Sequence, residues 1–131
     1  MKTKAKTKII TAKFGLDGHN NGVAIVNQWL REAGFDVIDM GLYNTAESVI
    51  DAAIEKKVDL IGCSFLEGSQ LFYVQKLVDL AKERKLDNIK FVVGGVIPAN
   101  DVVKLKKMGV KEVYTPATQK EVIIEGIKAL A

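Results

Sequence analysis

The 131 residues include one histidine, and the residues around it are of the kinds that hold and aim an imidazole. His19 falls in Lys13-Phe14-Gly15-Leu16-Asp17-Gly18-His19-Asn20-Asn21-Gly22, a glycine-rich stretch between an apolar run and an amphipathic one. An imidazole can offer one nitrogen to a ligand while a carboxylate holds the other, fixing tautomer and direction; Asp17, two residues earlier, is spaced for that task. Ser64 and Leu66 fall at the end of the third apolar run, and Gly94-Gly95 closes the fourth. Taken singly, each group has an ordinary reading: a solvated histidine, a turn former, a helix cap, a surface lysine at Lys13. Their placement at the ends of apolar runs is what calls for explanation.

The runs alternate between two periods. Strands are predicted over 8–12, 35–40, 58–64, 88–93 and 110–114. Between them come helical spacings: Val23, Val26, Trp29 and Leu30, ended by Gly34; Val49, Ile50, Ala53 and Ile54 behind a capping signal at 44–47; Leu71, Val74, Leu77, Val78 and Ala81, opened by the 67–69 turn; and 100–108, stopped by Gly109. Thr118-Gln119-Lys120-Glu121 reads as a capping box before a C-terminal helix. Strands without a polar face, alternating with helices, imply an α/β doubly wound parallel sheet covered on both sides by right-handed crossovers. The expected arrangement is a five-stranded, flavodoxin-like (Rossmann-like) sheet of order 2-1-3-4-5. Such sheets bind ligands beyond the carboxyl ends of their strands, so the loops at 13–22, 64–68 and 94–98 are expected to converge.

Composition narrows the possibilities. With 48% hydrophobic and 27% charged residues, the chain suits one domain with one core, expected over 8–131 behind a basic tail at 1–7. No apolar run is long enough for a membrane span and no signal segment is apparent, so a cytoplasmic protein is expected. The net charge of +3 draws on Lys2, Lys4, Lys6 and Lys8 and on a second cluster at Lys104, Lys106, Lys107 and Lys111. No aromatic residues interleave with arginine, which argues against nucleic acid, while a basic face toward an acidic partner stays open. The lone Cys63 reads as a small buried residue on a strand. The glycine spacing of the first loop matches neither a dinucleotide fold nor a phosphate loop. Lys13 and Ser64 stand where a phospho-acceptor receiver domain needs acidic groups, and one histidine with one cysteine cannot make a zinc site.

Asp17-x-His19-x-x-Gly22, Ser64-x-Leu66 and Gly94-Gly95 together resemble the signature of cobalamin-binding domains that take vitamin B12 base-off and histidine-on, and the likeness runs from about 8 to 130. The resemblance implies that His19 is the lower axial ligand to cobalt, that Asp17 accepts a hydrogen bond from its other nitrogen, and that Lys13 pairs with Asp17. It places the displaced nucleotide tail in a slot beside the sheet. There Gly22 lets the first helix lie close, Ser64 bonds the tail, Leu66 lines its path, and Gly94 and Gly95 allow close backbone approach. Gly18 and Gly68 belong to the same cofactor loops, and Tyr114, Thr115 and Thr118 are expected to close the slot. The first loop and helix are expected to tighten as the tail packs.

The run from Ala12 to His19 is similar to the acyl-CoA mutase branch rather than to methyltransferase modules, which carry a helical cap. Asn20 and Asn21 depart from the Asp-Arg of many mutases. The implied activity is adenosylcobalamin-dependent carbon-skeleton rearrangement, of the methylmalonyl-CoA, isobutyryl-CoA or 2-hydroxyisobutyryl-CoA mutase type. A barrel of ~250 residues does not fit in this chain, so a small subunit working with a large acyl-CoA-binding barrel subunit is expected. A corrinoid carrier for methyl transfer and a cofactor-free flavodoxin-like interaction module are the alternatives.

Overall fold

A computed structural model describes residues 6–15, 21–66 and 68–131. Ten elements alternate along the chain: β1 (Lys8–Lys13), α1 (Asn21–Glu32), β2 (Asp36–Asp39), α2 (Ala46–Lys56), β3 (Leu60–Phe65), α3 (Gln70–Glu83), β4 (Lys90–Gly95), α4 (Ala99–Met108), β5 (Glu112–Tyr114) and α5 (Lys120–Leu130). The strands form one sheet in the order β2-β1-β3-β4-β5, and every pairing is parallel. This is the expected flavodoxin-like order. Among the described residues no helix is long and apolar enough to cross a membrane.

The two faces of the sheet are packed differently. Ile10 and Ala12 of β1 and Phe14 just beyond it, with Ile61, Cys63 and Phe65 of β3 and Phe91 and Val93 of β4, meet α2, α3 and α4 in a continuous apolar layer. The opposite face carries Ile9, Leu60 and Val92 against Leu30 of α1 and Ile123 and Ile127 of α5. Successive strand residues point to opposite sides, so Thr11 and Lys13 follow Ile9 on this second face, Gly62 and Ser64 follow Leu60, and Gly94 follows Val92. Thr11 is in register with Gly62, and Lys13 with Ser64 and then Gly94. On β3 and β4 side-chain volume on the α1/α5 face therefore falls from the amino edge toward the carboxyl edge, and the helices leave space above the small residues.

Local chemistry fixes the helix ends. Thr45 caps α2: its hydroxyl accepts from the Ser48 amide at 3.0 Å, and the Ser48 hydroxyl accepts from the Thr45 amide at 3.1 Å. Gly109, at φ 113°, ends α4 in the left-handed region that glycine tolerates.

Four expectations need correction. Thr118 caps nothing: α5 starts behind Gln119, which makes no side-chain cap bond, and the Thr118 amide is used in a turn to the Thr115 carbonyl at 3.0 Å. That turn pushes the helix start one residue on. The edge strand β2 is not apolar throughout, because Asp36 and Asp39 are exposed at the solvent side of the sheet. Ile54 sits at 41% exposure, outside the core that Val49, Ile50 and Ala53 enter. The strands β3 and β4 also run on to Phe65 and Gly95, past the expected ends at 64 and 93.

Candidate functional site: a slot beside the sheet

Lys13 ends β1 with no solvent exposure, and its ammonium lies 3.2 Å from the Ser64 carbonyl and 3.3 Å from the Ser64 hydroxyl. A buried charge persists only where polar groups replace water, so the Lys13–Ser64 contact ties the ends of the two central strands together. A second tie comes from Asn44, whose amide Nδ2 donates to the carbonyls of Lys13 at 3.0 Å and Gly41 at 2.9 Å. Below it Phe14 stacks on Phe65 and Tyr73, with centroids 5.6 and 5.3 Å away. Gly15, at φ 60°, carries the chain out of the sheet where a Cβ would lie 2.5 Å from the Tyr73 hydroxyl. The first loop thus leaves from a rigid base. Asp17, Gly18 and His19, together with Asn20, lie outside the described residues.

Above the small residues of the sheet is a cavity of about 340 Å³ between α1 and α5, within the size range of small-ligand sites. Its floor is Thr11, Gly62, Ser64, Val92 and Gly94; Gly22, Val23, Val26 and Trp29 form one wall, and Tyr114, Thr115, Pro116, Thr118 and Ile123 the other. Leu66 and Gly95 border it at the carboxyl edge. Eight of the expected positions (Gly22, Ser64, Leu66, Gly94, Gly95, Tyr114, Thr115 and Thr118) therefore line one cavity. Gly68 does not line it; that residue, at φ 95°, serves the turn into α3.

The glycines differ in what requires them. A Cβ at Gly95 would fall 1.8 Å from the Phe65 carbonyl oxygen, so the sheet itself demands glycine there. A Cβ at Gly62 or Gly94 would meet its nearest neighbours at 3.6 and 3.7 Å, which is ordinary contact. Packing does not require those two; their missing side chains are the depth of the cavity. Gly62 and Thr11 were not singled out by spacing, although a glycine inside an otherwise apolar strand is a known mark of close approach by a ligand. Asn44, readable only as a turn residue before α2, was missed as a brace. Tyr114 has its phenol pushed up to about 12 from 10.0, first by burial and then by the charge of Glu112. It stays a neutral hydrogen-bonding group at physiological pH.

A parallel sheet of order 2-1-3-4-5 with a slot beside its central strands and a buried lysine at the end of β1 defines a class, and the chain matches the B12 binding domain over residues 7–124. The 2-hydroxyisobutanoyl-CoA mutase small subunit of Aquincola tertiaricarbonis is 42% identical over 94% of this chain and 90% of its own length. The chain belongs to the B12-binding domain family and, within it, to the small subunits of acyl-CoA mutases. Ethylmalonyl-CoA mutase of Methylorubrum extorquens is 38% identical over 83% of this chain, a region that makes up 16% of that protein. Among solved structures, a cobalamin-binding protein of Desulfitobacterium hafniense shares the fold with a TM-score of 0.83 at 22% identity, over 96% of this chain and 60% of that one.

Proposed function

We propose that the chain holds adenosylcobalamin base-off, with His19 as lower axial ligand to cobalt and the nucleotide tail in the slot between α1 and α5. The observation that carries this reading is the cavity floored by Gly62 and Gly94, whose absent side chains the fold does not require. It lies along β1 and β3, the strands that lead into the loops of His19 and Ser64. When bound, adenosylcobalamin supplies a homolysable cobalt–carbon bond and with it radical rearrangement of an acyl-CoA carbon skeleton. The protein's own residues then have distinct tasks. Asp17 accepts from the second nitrogen of His19 and so fixes its tautomer and raises its basicity. Lys13, braced on Ser64, places a positive charge beside the same loop. Leu66, Gly95 and the Tyr114–Thr118 segment shape the mouth of the slot and exclude water from it.

The acyl-CoA is handled by a large partner subunit. In support, the Aquincola relative is named a small subunit, and the ethylmalonyl-CoA mutase carries the matching region as a minor part of its length. The choice among 2-hydroxyisobutyryl, isobutyryl and methylmalonyl thioesters belongs to that subunit.

Ultraviolet–visible titration of the chain with adenosylcobalamin and with methylcobalamin tests the site. A base-off, histidine-on spectrum is expected for the native chain and not for His19→Ala, while Asp17→Asn binds ~10–100-fold more weakly. A native spectrum in His19→Ala overturns the assignment of the ligand. Turnover of an acyl-CoA by the chain mixed with its large subunit tests the reaction, and methyl transfer without such turnover overturns it.

A further inference from the structure

A polar pair sits in the otherwise apolar wall of the slot. Thr11 lines the cavity at 4% exposure, and its hydroxyl is 2.7 Å from Oδ1 of Asn27, an α1 residue at 2% exposure. The other amide atom of Asn27, Nδ2, has no hydrogen-bond partner among the described residues. The layer around the pair is Ile9, Val26 and Leu30, so two apolar residues would pack here without leaving a polar atom unpaired.

A half-turn of the Asn27 amide exchanges its nitrogen and oxygen without moving another group. Nδ2 then donates to the Thr11 hydroxyl, and the unpartnered atom becomes a carbonyl, which is less costly to leave alone than an N–H. The hydroxyl hydrogen of Thr11 is thereby freed toward the cavity. Backed by this amide, Thr11 can give or accept a hydrogen bond, whichever the occupant requires. It stands two register positions below the Lys13–Ser64 pair on the same face, farther from the mouth, where the end of an inserted group arrives.

We infer that Thr11, set by Asn27, is a specificity-determining contact for the end group of the nucleotide tail. The slot favours a lower base with a hydrogen-bonding outer edge, such as adenine, over dimethylbenzimidazole, whose outer edge carries two methyl groups. This inference rests on the cobalamin reading of the slot. Against methyl groups the Thr11 hydroxyl keeps only its bond to Asn27, and forgoing the one hydrogen bond that an adenine edge would make costs roughly tenfold in affinity.

The test is equilibrium binding of three corrinoids to the chain: one ending in adenine, one ending in dimethylbenzimidazole, and tail-less cobinamide. The native chain is expected to bind the adenine form roughly tenfold more tightly than the dimethylbenzimidazole form. Thr11→Val brings the ratio close to one, Thr11→Ser restores it, and cobinamide binds all three proteins alike. If Thr11→Val does not fold, Asn27→Ala replaces it and also lowers the ratio. Equal affinities in the native chain, or a ratio unchanged by both substitutions, overturn the inference while leaving the cofactor site standing. Failure of both tailed corrinoids to bind overturns the cobalamin reading itself.

Discussion

At the scale of single residues, the chain places groups where an average protein would not put them. Lys13 is wholly buried at a strand end, and Gly95 occupies a backbone conformation, φ 127°, that L side chains rarely adopt. Adding a methyl group in Gly95→Ala drives it into the Phe65 carbonyl, which also accepts from the Val96 amide at 3.2 Å. The substitution is expected to destabilise the fold by on the order of 3 kcal/mol, read from the midpoint of urea unfolding. A change under about 0.5 kcal/mol, typical of an innocuous surface substitution, would show that β3 and β4 separate there freely. The family resemblance drew attention to this glycine as a place for close approach by the cofactor, and the neighbouring strand of the same sheet adds a requirement of its own.

At the scale of elements, the slot is the product of a gradient. Ile9 and Leu60 fill the helix–sheet interface near the amino edge, while Gly62, Ser64 and Gly94 leave it open near the carboxyl edge. Gly62→Val adds bulk into that opening, and its Cβ meets neighbours no nearer than 3.6 Å. Stability is expected to stay within about 1 kcal/mol of the native value, since valine suits a strand and gains burial. Binding of adenosylcobalamin is expected to be lost, as checked by parallel thermal melts and spectral titrations; undiminished binding would mean that the tail lies elsewhere.

The alternation of elements was legible because each strand and helix carries its own period and its own stop, such as Gly109 after α4. The cavity was legible only through the family resemblance and not from the residues themselves, because it is defined by which residues share a face across three strands and by a gap that no single segment contains. Thr11 and Asn27 are sixteen positions apart, and neither announces the other. The Thr118 capping box failed for a related reason: a four-residue motif cannot reveal that the preceding turn has already used its amide.

At the scale of the whole molecule, the thicker core below the sheet supplies the stable platform and the thinner one above it accepts change. Cys63 reports on the platform. Burial raises its thiol from 9.0 to about 12, so the folded chain keeps a proton that the unfolded chain releases earlier. The resulting stabilisation is complete below pH 9.0 and is lost as pH climbs toward about 12. Stability measured by urea unfolding is expected to fall more steeply above pH 9 in the native chain than in Cys63→Ala, and parallel slopes would contradict the burial of the thiol. Net charge and hydropathy were readable from composition, but this asymmetry between the faces was not.

The walls of the slot are the first helix and the last, with residues 33–119 looped between them. Whatever fills the slot therefore acts as a removable staple between α1 and α5. It closes the loop of residues 33–119, and it would make α5 part of the same cooperative unit as α1.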